Sequence, residues 1–466
     1  MPPSIHEAPE DGARQADAQG PEWSDWRTWA SRLVIAVFAV LSALAVLTLT
    51  WLSETALQAF FRLHAVHPWL PLLWTPAITA GVVWLTRRWC PGAAGSGIPQ
   101  VIAAQHDDLD PEQKKQLVSL KLSAGKMLLT AGSLLAGLST GREGPSVQVA
   151  AGIMHHARRW LPRRSSIPER GLLVAGGAAG VAAAFNTPLG GVVFAIEQLS
   201  RRPENRASGL LIGAIVIAGL VAVSVQGSGT YFGRIQIEAI GWALLLPGLA
   251  VTLVCGLAGG LFSRLLTWSL SPGQDPLRRF RRDRPCLFAA LCGLAVAAIG
   301  IASSGHSFGS GYLATRQMLE GQDPTQGLDT ALRFIATWLS AICGVPGGIF
   351  APALTMGASI GHEVASLSAD PKPVLIAIGM AAFLAAVTQA PLTAFIIVME
   401  MVDGHAMVLS LMAAATLATV MARVISPPLY ETLARDLAAH GPAPNKKAPA
   451  RTGASGAAPI QSGSAS

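Results

Sequence analysis

The sequence predicts an all-α protein that crosses a membrane many times and is assembled from two related halves. Three observations carry that prediction. Of 466 residues, 51% are hydrophobic and only 13% charged, about half the charged share of a soluble protein. Charge-free runs recur at 33–53, 64–86, 171–196, 207–233, 239–263, 285–315, 334–362 and 373–399. Stretches separated by 203 and by 207 positions share sequence, as set out below.

A membrane helix needs roughly 17–25 apolar residues, so several of these runs can span and the longest can hold two segments. A soluble helical protein with a large core would need amphipathic helices with charged outer faces. Those faces are missing.

Taken in order, residues 1–30 are polar, with six acidic residues against Arg14 and Arg27. A cleavable signal needs a basic start and a shorter apolar core, so the first span is expected to be retained. The membrane part is expected over 31–440, with halves at roughly 31–235 and 236–440. The tail 441–466 is rich in Pro, Gly, Ala and Ser and is expected to be disordered.

The net charge of +7 collects at 157–166, 200–206 and 277–284. By the positive-inside rule these clusters mark the cytoplasmic face. No aromatic interleaving or basic fold motif accompanies them, so nucleic acid is not an expected partner. Five scattered cysteines without a CxxC imply neither a disulfide framework nor a zinc site.

Arg142 and Glu143 are the only permanently charged residues between Met127 and Ala157. The uncharged flanks, 127–141 and 144–157, hold 15 and 14 residues. Neither crosses a core of about 30 Å as a helix, and Gly141, Gly144 and Pro145 argue for a break. Proline suits the first turn, where its missing N–H has no intrahelical partner, so a helix is expected to start there inside the membrane. The same grammar recurs in "GSGIPQ" (95–100), "FNTPLGG" (185–191), "GGIFAP" (347–352) and "TQAPLTA" (388–394).

A shift of 203 superposes Ala178 on Ala381, Pro188 on Pro391, Leu189 on Leu392 and Glu197 on Glu400. A shift of 207 lays Gly141 on Gly348 and Pro145 on Pro352. Repeats with broken helices are a transporter architecture that holds substrate near the midplane at half-helix ends. Converging helix N-termini present unpaired N–H groups and positive dipole ends, so the expected substrate is an anion.

"GSGIP", "GREGP" and "GGIFAP", in this order and followed by Tyr430 in "PPLYETL", resemble the CLC family of chloride channels and chloride/proton antiporters over about residues 30–440. The resemblance implies two inverted repeats of tilted and broken helices, a homodimer in the inner membrane with one anion pathway per subunit, chloride as the transported anion, and no cofactor. It implies that the hydroxyls of Ser96 and Tyr430 and the backbone N–H groups of Ile349 and Phe350 bind chloride, with Gly144 at an outer site. Neutral hydroxyl and amide donors can replace the water of a weakly hydrated anion without trapping it. Residue chemistry alone also leaves Ser96 as a cap for the helix that Pro99 opens and Tyr430 as an interfacial aromatic. Fluoride-selective relatives depart from the serine, and nitrate-preferring ones tend to have proline there, so Ser96 favours chloride.

An ionisable side chain on a helix break inside the membrane marks a functional site. The resemblance implies that Glu143 is a gate that blocks an anion site when ionised, swings away when protonated, and so carries a proton. The competing reading is an ion pair with Arg142, but adjacent residues at a helix start point apart. Lys126 matches a family lysine and is expected to raise the local positive potential.

The family's antiporters carry a second, inner glutamate where this chain has Gln198, which cannot titrate. Glu197, one position earlier, matches a family carboxylate and is a candidate water-linked proton relay, although its helical direction differs by about 100°. Glu400 is expected to accept hydrogen bonds from backbone freed at a break. The expected activity is proton-linked chloride transport, with a passive chloride channel as the alternative that Gln198 favours.

A membrane enzyme is the alternative from another class. "GHEVAS" has His362 and Glu363 but Ser366 where a zinc HExxH needs its second histidine, and no GxSxG or Walker sequence occurs. His155 and His156 lie on different helix faces and are read as solvent-edge residues.

Overall fold

The computed structural model describes residues 26–162, 167–200, 208–227, 229–233, 244–322, 327–368 and 372–440. The helices run in chain order as α1 (Trp26–Val66), α2 (Pro71–Trp89), α3 (Ile98–Ala104), α4 (Pro111–Leu117), α5 (Leu120–Leu135), α6 (Glu143–His156), α7 (Glu169–Phe185), α8 (Pro188–Phe194) and α9 (Ser208–Gln226). The second half continues with α10 (Leu245–Leu270), α11 (Pro276–Asp283), α12 (Pro285–Ala302), α13 (Tyr312–Leu319), α14 (Gly327–Ile342), α15 (Phe350–Leu367), α16 (Lys372–Thr388), α17 (Pro391–Val402), α18 (Val408–Ile425) and α19 (Leu429–His440). Among the described residues no named strand occurs, and the chain is an all-α protein of two inverted repeats.

Among the described residues, only α1, α10, α12 and the segment His405–Ile425 are long and apolar enough to cross a membrane by length and composition. The other apolar helices are short because the chain breaks where the glycine–proline grammar places a break. Pro188 and Pro391 open α8 and α17 as their first residues. At "GREGP" the helix starts at Glu143, two residues ahead of Pro145, and at "GGIFAP" at Phe350, two ahead of Pro352.

The first helix begins at Trp26, inside the stretch expected to be a polar segment through residue 30. Its 41 residues measure about 60 Å at 1.5 Å each, far more than one perpendicular crossing. Residues 1–25, the tail 441–466, the boundary expected at 235/236 and most of the basic cluster at 200–206 lie outside the described residues. Residues 163–166 of the 157–166 cluster do as well.

The two halves repeat one packing. α6 lies against α7 in the first half, and α15 against α16 in the second. These helices are rich in small residues because apolar side chains facing lipid supply no hydrophobic drive for association, and close backbone approach supplies dispersion contact instead. At the α15–α16 crossing, a Cβ on Gly357 would fall 2.2 Å from the Gly379 carbonyl oxygen. The halves meet where α2 packs on α12, α8 on α17 and α3 on α19.

Candidate functional site

Three broken-helix loops converge at the centre and are stitched by their backbones. Gly95 N–H donates to the Val345 carbonyl at 3.0 Å, and Gly347 N–H donates back to Gly95 at 3.1 Å. Gly141 and Gly348, the pair related by the 207-residue shift, exchange both of their hydrogen bonds, at 2.8 and 2.6 Å. The Ser133 and Thr140 hydroxyls donate to the carbonyls of Pro346 and Gly348, at 2.8 and 3.0 Å.

Ser96 precedes α3, and its loop is held from below by Lys126. The ammonium is fully buried and donates to the carbonyls of Ala93 and Gly95, each at 2.7 Å. Ser96 Oγ lies against Gly144: a Cβ at position 144 would fall 2.3 Å from it. Only glycine therefore lets α6 start so close to the serine.

Tyr430, in α19, is buried and turns its ring toward Phe350, with centroids 6.1 Å apart. The hydroxyls of Ser96 and Tyr430 are buried, and neither has a hydrogen-bond partner among the described residues. Ile349 and Phe350 open α15, where the first N–H groups have no intrahelical acceptor. The structure thus brings Ser96, Gly144, Ile349, Phe350 and Tyr430 to one place, with hydroxyl and amide donors.

Glu143 is 2% exposed. Its carboxylate folds back over Gly141, where a Cβ would fall 2.2 Å from Oε2, and faces the backbone N–H of Ala351. Oε2 has no partner among the described residues. The carboxylate sits between the N-termini of α6 and α15, the position whose partial positive charge suits an anion.

Arg142 makes its ion pair with a residue other than Glu143. Its guanidinium pairs with Glu54 of α1 at 2.8 Å and donates to the Thr50 carbonyl at 3.3 Å. A cavity of about 600 Å³ opens beside the gate, lined among others by Glu54, Arg142, Glu143, Tyr231, His306 and Tyr312. Tyr231 comes from the linker between the halves and is held there by two hydrogen bonds. Tyr312 Oη donates to its carbonyl at 2.9 Å, and Phe232 N–H donates to Met401 at 3.0 Å. From Tyr231 a file of rings leads inward through Phe185 to Phe350, with centroid separations of 6.0 and 6.2 Å.

Sequence reasoning missed Glu54 and Tyr231. Glu54 had one visible signal, as the carboxylate that ends the charge-free run 33–53.

Glu197 lies away from this centre. Its two oxygens accept the N–H groups of Leu392 and Thr393, at 3.1 and 2.7 Å, at the start of α17. Glu400 accepts those of Leu189 and Gly190, at 3.1 and 2.7 Å, at the start of α8. Gln198 points inward and donates from Nε2 to the Thr388 carbonyl at 3.1 Å. His155, expected at a solvent edge without an acidic neighbour in sequence, pairs with Glu169 at 2.7 Å, because α7 returns alongside α6.

The pattern that defines the voltage gated chloride channel family matches residues 77–423. The H(+)/Cl(-) exchange transporter ClcA of Salmonella paratyphi A is 30% identical over 439 residues, covering 86% of this chain and 88% of its own. That of Citrobacter koseri is 31% identical over 418 residues, covering 84% of each. A slow cyanobacterial Cl-/H+ antiporter superposes with a TM-score of 0.73 at 24% identity, over 91% of this chain and all of its own. A CLC-type fluoride/proton antiporter gives 0.71 at 21% identity, over 89% of this chain and 99% of its own. At these identities the two structures speak for the fold.

Proposed function

We infer, from the premise that this chain belongs to the voltage gated chloride channel family, that it exchanges chloride for protons across a membrane. One observation carries the reading: the Glu143 carboxylate occupies, from within the chain, the cradle between two helix N-termini that would otherwise favour an anion. Ionised, it competes with chloride for that cradle. Protonated, it loses the charge that holds it there, swings toward the 600 Å³ cavity and opens the path. Each swing moves a proton, which links the two flows.

Further along, chloride is held by the Ser96 and Tyr430 hydroxyls and the N–H groups of Ile349 and Phe350, with Gly144 beside the outer position. These donors hold it loosely enough to leave. Lys126 adds buried positive charge near the path and fixes the Ser96 loop. Arg142 keeps positive charge beside the gate without neutralising it, because Glu54 takes its guanidinium.

The inner proton route uses no carboxylate at position 198. Nor does Glu197 supply it, because both of its oxygens are engaged by the start of α17. The protein is a transporter of the multi-pass inner-membrane type and works as a homodimer. Its membrane part spans 31–440 in halves of 31–235 and 236–440.

Purified protein in chloride-loaded liposomes, with valinomycin to release the potential, tests the reading. Chloride efflux and external pH are recorded together. Proton uptake that accompanies chloride efflux and continues against a proton gradient is expected. Chloride flux with no proton movement would overturn exchange in favour of a passive channel.

A further inference from the structure

The densest run of positive charge in the chain plays no part in the chloride pathway. Residues 278–284 read RRFRRDR, and α11, which carries them, has no buried residue. Two apolar helices bracket it: α10 ends at Leu270, and α12 starts at Pro285. That placement fixes α11 at the membrane surface. The end of α2, which packs on α12, adds Arg87 and Arg88, and Arg87 is near enough to Arg281 for their charges to repel.

Seven arginines therefore meet here, at 87, 88, 278, 279, 281, 282 and 284, against the two aspartates of the segment, Asp275 and Asp283. Those aspartates are already engaged, with Arg278 at 3.2 Å and Arg282 at 3.4 Å. Arg281 donates to the Leu270 carbonyl at 3.1 Å. The guanidiniums of Arg279 and Arg284 have no partner among the described residues, and both line a groove of about 340 Å³ with Gln274, Pro276, Phe280 and Asp283.

The surroundings of the groove are those of a bilayer interface. Trp84, Trp89 and Trp268 are all exposed, and Arg278 lies over the Trp268 ring at 5.1 Å. Tryptophan is enriched at the head-group level. Beyond Pro285, one face of α12 exposes Leu287, Leu291 and Leu294 at helical spacing.

We propose that this groove binds an anionic phospholipid, with its phosphate held by Arg279 and Arg284 and its acyl chains laid along Leu287, Leu291 and Leu294. Clustered arginines beside a membrane helix attract acidic lipid, and planar guanidiniums match phosphate oxygens in pairs. The uncompensated charge disfavours a zwitterionic head group, whose amine the same arginines repel. A free phosphate would gain nothing from the leucine stripe.

The test is native mass spectrometry of the full chain, purified and equilibrated with an equal mixture of phosphatidylglycerol and phosphatidylcholine of the same chain length. Phosphatidylglycerol should be retained preferentially. The double variant Arg279→Gln/Arg284→Gln should cut that preference at least roughly fivefold, while Arg62→Gln, an exposed charge on α1, should leave it unchanged. Chloride uptake in phosphatidylcholine liposomes should match wild type in the double variant and so verifies its fold. Equal retention of the two lipids by the wild type, or undiminished preference in the double variant, would overturn the proposal. Displacement of the lipid by millimolar inorganic phosphate would also overturn it, by making the groove a phosphate site.

Discussion

Glu197 and Glu400 exchange places as helix caps: each carboxylate accepts the first two free N–H groups of a helix in the other half, and the paired distances are the same, 3.1 and 2.7 Å. The two residues are also partners under the 203-residue shift. A carboxylate at a helix N-terminus satisfies orphan donors and opposes the dipole. Glu197→Ala and Glu400→Ala should each lower stability by about 1–2 kcal/mol, read as similar drops in thermal unfolding in detergent. If Glu197 were instead the inner proton relay, Glu197→Gln would abolish proton movement with no loss of stability.

The gate assignment predicts a pH profile. Chloride flux in the wild type should rise as pH falls, because protonation removes the carboxylate from the anion position. Glu143→Gln should pass chloride at a rate indifferent to pH and move no protons. A variant whose flux still follows pH would place the titrating group elsewhere.

Glu54 should set where that profile falls. Its ion pair with Arg142 offsets part of the positive charge beside Glu143. Glu54→Gln frees the guanidinium to favour the ionised gate, so more acid is needed to open it. The flux–pH curve should move toward lower pH without losing amplitude, and a curve that stays in place or moves to higher pH would mean that the Glu54–Arg142 pair does not set the charge of the gate.

Removing the Tyr430 side chain takes one of the two unpartnered hydroxyl donors from the centre. Titration calorimetry with chloride should show Tyr430→Ala binding roughly fivefold more weakly, as the loss of a hydrogen bond worth about 1 kcal/mol requires. An unchanged affinity would set the tyrosine outside the site.

Gly144→Ala probes the same centre sterically. The added methyl would fall 2.3 Å from Ser96 Oγ, so the serine must move. Chloride affinity should fall, and thermal stability with it, because the methyl also falls 2.9 Å from the Ser96 carbonyl oxygen; an affinity equal to wild type would show that Ser96 Oγ does not hold the ion.

The local parts of this site were legible because their signals are local. A charged pair in a short apolar stretch, bracketed by glycine and proline, marked the break at Glu143, and the position of Glu400 at the end of an uncharged run marked it as an acceptor. The partners were not legible, because they are set by how helices return. Glu54 reaches Arg142 across 88 positions, and no periodicity within α1 distinguishes that carboxylate from an interfacial one. Glu197 stands out in the sequence as a candidate relay only through its neighbour at 198; its hydrogen-bond partners, Leu392 and Thr393, lie in the other half. The start of α6 came two residues early for a similar reason, since Pro145 fits any of the first helical positions and only the backbone pairing of Gly141 fixes which one.

The reciprocal bonds between Gly141 and Gly348 bear on the tempo of the cycle. Transporters built from inverted repeats commonly rock one repeat against the other around a fixed site, a collective motion of microseconds to milliseconds. Here the hinge line of such rocking would run through two buried hydrogen bonds that tie the gate loop to the loop that opens α15. Rocking at this point would strand four backbone groups without water to receive them. On the proposed gate assignment, the clock of the cycle would be one side chain, Glu143, turning within a stationary frame.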